Sequence, residues 1–113
     1  MKRDKAYLQH IRDAAKRIQE YTHDGRDAFM GNTMMQDAVI RNLEIIGEAT
    51  KGLSPAFRER YPDIPWSSMA GMRDVLIHGY MGVDLKIVWD VVANRINPIL
   101  SDIEKLLRET TSE

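Results

Sequence analysis

The chain has 113 residues, 43% hydrophobic and 29% charged, a globular composition with room for one domain over residues 1–113 and not for two cores. Sixteen basic residues against 17 acidic ones give a formal charge of −1, which argues against a long basic track along nucleic acid but allows a compact grip on one or two phosphates. With no cysteine, disulfides, thiolate metal sites and cysteine nucleophiles are excluded.

No apolar stretch approaches the roughly 20 residues that a bilayer span requires. Met1-Lys2-Arg3-Asp4-Lys5 leads straight into an amphipathic pattern without an apolar signal core, so a cytoplasmic location is expected. The first helix is expected over about Asp4 to Thr22. It carries Tyr7, Leu8, Ile11, Ala15, Ile18 and Tyr21 on one stripe, with Lys5, Arg12, Asp13, Lys16, Arg17 and Glu20 mainly outside it. A short turn around Arg26 to Met30 follows. Asn32 or Thr33 can cap a long helix to about Leu53, with Met35, Val39, Leu43 and Ile46 beside Ala38, Ile45 and Ala49.

Ser54-Pro55 reads as an N-cap followed by proline at the first helical position, which predicts a short helix over Ala56 to Arg60. Pro62 and Pro65 predict an extended connection. Trp66 or Ser67 opens the next helix, ending near His78-Gly79, where glycine can adopt the left-handed cap. Asp84 can cap the last helix, with Leu85, Val88, Trp89, Val92, Ile96, Ile99, Leu100, Ile103 and Leu107 inward; Pro98 should bend or split it. The expected fold is all-α: an up-and-down bundle of four main helices plus short ones. The apolar faces look broader than one small bundle can hide. Trp89, Val92, Ile96, Met34-Met35 and Met69 with Met72 suggest a further packing surface, and a homodimer is the economical answer.

Of three histidines, His10 and His23 have no second histidine at i+3 or i+4 for a metal pair and read as solvated surface residues. His78 has different company. Asp74 precedes it by four residues, so the carboxylate can orient the imidazole. Arg73 stands five residues before His78, about 140° away on an ideal helix, so the two do not share a stripe but can converge over the helix end. The helix C-terminus favours a protonated imidazole. Arg73 and Tyr80, seven apart, face the same way if the helical turn persists past Gly79. Arginine, imidazole and phenol together can grip a phosphodiester and move protons; the same residues could instead serve as a cap and an ion pair with Asp74.

Arg73-x4-His78-x-Tyr80 resembles the signature of the HEPN superfamily (higher eukaryotes and prokaryotes nucleotide-binding domain), in particular its HepT-like toxins. The likeness extends over most of the chain. The run Asp37 to Ala49 looks like that family's long second helix, and Pro65-Trp66 followed by Met69-Ala70-Gly71-Met72-Arg73 looks like the lead into its motif. Asp74 stands where the family commonly has a polar residue, often Asn, and adds a negative charge.

The resemblance implies a helical dimer whose two motifs face one cleft and cleave RNA without metal or other cofactor. It implies a partner, a minimal nucleotidyltransferase antitoxin that transfers AMP to Tyr80. In that reading His78 is the general acid or base and Arg73 neutralises the phosphate. Asp37, Arg41, Glu44 and Glu48 form one polar helix stripe, read as a solvated face or as a line that orients Arg73 or borders the cleft. The other function left open is a non-catalytic helical module that docks a nucleotidyltransferase.

Overall fold

A computed structural model describes residues 2–72, 74 and 84–110, the Lys2 side chain excepted. Among these residues every regular element is a helix: α1 (Lys2–Tyr21), α2 (Arg26–Met30), α3 (Thr33–Gly52), α4 (Pro55–Arg60), α5 (Trp66–Ala70), α6 (Leu85–Asn94) and α7 (Ile96–Thr110). None is long and apolar enough to cross a membrane.

Helix α1 is the spine, packed against both α3 and α7. Its buried positions Leu8, Ile11, Ala14, Ala15 and Ile18 recur at helical spacing, and the two alanines lower the ridge where a neighbour approaches. Tyr21 departs from the expected stripe: it is 36% exposed. At 100° per residue it sits about 90° from the stripe's centre, at the last position of the helix, where the chain turns away. That turn needs Gly25, whose φ of 94° lies in the left-handed region.

Helix α3 runs antiparallel to α1, as three contacts along the pair establish. The Arg17 Nη1 donates to Asn42 Oδ1 at 3.2 Å, the Tyr7 ring lies against Gly52, and Asp4 reaches Ser54. A Cβ at Gly52 would collide with the Tyr7 ring, so the seat of that ring against α3 depends on glycine there. Asn32 caps α3 by accepting from the Met35 N–H at 3.0 Å. Val39, Leu43, Ile46 and Ala49 are buried, and the buried Asn42 and Thr50 bond back to the Ala38 and Ile46 carbonyls. Asp37, Arg41 and Glu48 are exposed and Glu44 is partly buried.

Ser54 caps α4 as its sequence requires, its Oγ accepting from the Phe57 N–H at 3.2 Å. The same residue donates from its N–H and hydroxyl to the buried Asp4 carboxylate, at 2.8 and 3.0 Å. One side chain thus ties the start of α1 to the start of α4. The Pro62–Pro65 connection is not extended. The Ile64 N–H bonds the Tyr61 carbonyl at 3.2 Å and the Trp66 N–H bonds Ile64 at 2.8 Å, which makes it a compact turn.

The expected last helix is two helices. Pro98 cannot donate to the Asn94 carbonyl and its ring would strike it, so the helix stops at Asn94. It restarts at Ile96, which leaves Pro98 in the first turn, where no donor is needed. The helix expected to open at Trp66 or Ser67 is described only at its opening: α5 ends at Ala70, and Met72 and Asp74 are helical beyond Gly71. Its expected end at His78-Gly79 lies outside the described residues.

Three residues assigned to a further packing surface belong instead to the core. Met69, Met72 and Ile96 are at most 2% exposed, because α5 packs onto α3 and α7 onto α1. Met34 is 83% exposed, while Met35, Trp89 and Val92 are half-buried at the edge.

Candidate functional site

The approach to the motif is built by an aromatic cluster. Phe57 and Tyr61 rings lie 5.1 Å apart, and Trp66 meets Phe57 edge-on at 6.2 Å. The Trp66 Nε1–H donates to the Tyr61 carbonyl at 3.0 Å. These contacts fix where α5 begins. Buried Met69 and Met72 then hold its inner face, and one residue later the sequence reaches Arg73.

Arg73, His78 and Tyr80 lie outside the described residues. Asp74 is helical and exposed, and it makes no hydrogen bond or ion pair among the described residues. Beyond the motif, Asp84 caps α6 by accepting from the Lys86 N–H at 2.9 Å, which anchors the far side of the segment. The other histidines sit on the surface. The His10 ring meets Tyr7 edge-on at 6.2 Å; the His23 ring nitrogens lie 2.8 Å from the Glu20 carbonyl and 3.1 Å from the Asp24 carboxylate. Among the described residues no three His, Asp or Glu side chains stand close enough to hold a metal ion.

Several depressions among the described residues combine charge with apolar lining; one holds part of the polar stripe of α3 and one adjoins α5. A groove of about 290 Å³ between α1 and α3 is lined by Tyr7, His10, Arg41, Ile45, Glu48 and Ala49. A pocket of about 280 Å³ lies between α5 and the break separating α6 from α7, walled by Pro65, Met69, Pro98 and Ile99 and edged by Ser68, Asn94, Arg95 and Asp102. There the Arg95 Nη1 donates to Ser68 Oγ at 2.6 Å, bracing α5 against the break. The sequence reading passed over Arg95. The one signal was Pro98, which foretold a break without saying what the break would face.

A model of the family described as ribonuclease HepT-like matches residues 11–106, a span that includes Arg73, Asp74, His78 and Tyr80. The chain is 48% identical over 111 residues to the "Gamma-glutamylcyclotransferase and putative RNase" of Methanocaldococcus jannaschii, covering 96% of this chain and 50% of that protein. It is 40% identical over 110 residues to a "Putative RNase" of the same organism, covering 96% and 91%. With the "Probable ribonuclease HepT" of Thermococcus cleftensis the identity is 44% over 108 residues, covering 94% and 98%. The chain therefore spans about half the length of the first relative and nearly all of the other two. No solved structure gives a significant match.

Proposed function

Because the chain belongs to the ribonuclease HepT-like family, we propose that it is a metal-independent endoribonuclease, the toxin of a toxin–antitoxin pair, acting in the cytoplasm. The observation that carries this reading is the family match running through Arg73, His78 and Tyr80. His78 serves as general acid or base on a ribose 2′-hydroxyl or the leaving oxygen, a contribution of roughly 10²–10⁴-fold. Arg73 neutralises the phosphate as charge builds in the transition state. Dependence on the 2′-hydroxyl selects RNA over DNA. Asp74 supports the imidazole from one helical turn earlier.

The working species in this reading is a homodimer, with both motifs opening into a shared cleft. Exposed Met34 and the half-buried Met35 and Trp89 are apolar surface that such an assembly can cover. The test is incubation of the purified protein with defined RNAs and their DNA counterparts in excess chelator, on material sized by light scattering. Cutting of RNA alone by a species of twice 13.0 kDa is expected. Cutting that needs an added divalent ion, or a monomer that cuts, sinks the corresponding part of the proposal.

Its partner is a minimal nucleotidyltransferase antitoxin that transfers AMP to Tyr80. The adduct adds bulk and a negative phosphodiester that competes with RNA for Arg73. Tyr80→Phe is expected to resist silencing on co-expression while keeping some activity. Mass spectrometry finding AMP only on other residues, or on none, removes Tyr80 as the switch.

A second reading, a non-catalytic module that docks the nucleotidyltransferase, draws on the exposed Asp74 carboxylate beside Arg73, which opposes phosphate binding. RNA intact after prolonged incubation with the dimer would favour it.

A further inference from the structure

The pocket between α5 and the α6–α7 break adjoins the element that runs into Arg73. Arg73 follows Ser68, on its rim, by five positions, so chain length alone keeps their Cα atoms within about 18 Å. At about 280 Å³ the pocket is near the lower end of small-ligand sites, the scale of one flat ring system rather than a peptide. Exposed Pro65 and Pro98 give the pocket apolar surface for such a ring, beside the buried Met69 and Ile99. Arg95 spends one N–H on Ser68 and forms no ion pair among the described residues, so further guanidinium donors remain. Asp102, on the same rim, adds an acceptor and likewise makes no hydrogen bond or ion pair among the described residues.

Unpaired RNA bases are recognised by this combination: apolar or guanidinium planes against the ring, and donors and acceptors along its edge. We propose that this pocket receives an unpaired base next to the cleaved phosphodiester, with Arg95 and Asp102 setting nucleotide preference. Arg95 donates to a carbonyl oxygen or ring nitrogen, and Asp102 accepts from an amino group. That pairing suits guanine, cytosine and adenine, which carry both an acceptor and an exocyclic amine, over uracil, which lacks the amine. The assignment rests on the ribonuclease reading and adds a specificity site to it.

The test uses the full-length protein and a randomised single-stranded RNA in chelator, with the bases flanking each cut read by sequencing. The wild type is expected to cut beside guanine, cytosine or adenine about 10-fold more often than beside uracil, the order of discrimination one base-edge contact provides. Arg95→Gln and Asp102→Asn are each expected to flatten that preference while cutting continues. Uniform slowing at every site, with the profile unchanged, would mean that Arg95 only braces α5, and overturns the proposal. So does a wild type that cuts without preference, or variants with the wild-type profile, as when a protein partner is the occupant; in these cases the ribonuclease reading stands. If the wild type cuts no RNA at all, both readings fall together.

Discussion

His78→Ala and Arg73→Ala are each expected to lower RNA cleavage by about 10²–10⁴-fold, which corresponds to about 3–5 kcal/mol of transition-state stabilisation. The two losses have different origins. Without His78 nothing moves the proton on or off the ribose oxygen. Without Arg73 the charge that develops on the phosphate has no counter-ion. Both variants should keep the fold, because the core is assembled by α1, α3 and α7 from residues elsewhere in the chain. Initial rates in chelator, read beside a circular dichroism melt, make the distinction. Loss of activity with an intact melt supports catalysis. Unfolding of both variants would reassign the pair to a helix cap and ion pair, and wild-type rates would end the catalytic assignment.

Trp66→Ala is expected to cost about 3–5 kcal/mol, the range for truncating a buried large aromatic. Trp66 is buried, stacks edge-on with Phe57, and satisfies the Tyr61 carbonyl through its indole N–H. Its removal opens a cavity and takes from that carbonyl one of its two donors, leaving the Ile64 N–H. Against a total stability of about 5–15 kcal/mol for a small domain, this is a large share. Trp66→Phe keeps a ring and loses the hydrogen bond, so a smaller loss of about 1–2 kcal/mol is expected. Urea denaturation of the two variants is the measurement, and a loss under about 1 kcal/mol for Trp66→Ala would show that the aromatic cluster does not anchor α5. Because α5 leads into Arg73, cleavage should fall in step with stability in this variant.

The features legible before folding share one property: their causes lie within a few residues. Asn32, Ser54 and Asp84 each accept from a backbone N–H two or three positions on, so the cap is written beside the helix it starts. Pro98 splits the last helix through its own missing N–H and a clash four residues back. The apolar period located α1, α3 and α7 and most of their buried positions, since a stripe follows from 100° per residue alone. The Arg73-Asp74-His78-Tyr80 spacing and its flanks pointed to the family that the whole-chain comparisons then identified.

What escaped the sequence depends on what stands across from a residue, and only tertiary structure supplies that. Met34 and Met69 have the same side chain on similar patterns, yet one is 83% exposed and the other 1%, because α5 packs onto α3 whereas Met34, at a helix start, is covered by none of the described residues. Asp4, an acidic residue near a helix start, reads as solvated. It is buried because Ser54, fifty positions later, presents two donors to it. Likewise Arg95, in the break between α6 and α7, meets Ser68 of α5 from 27 positions along the chain. Periodicity determines which face of a helix turns inward; packing decides which partner fills that face, and so which polar groups are buried, paired or left at the rim of a site.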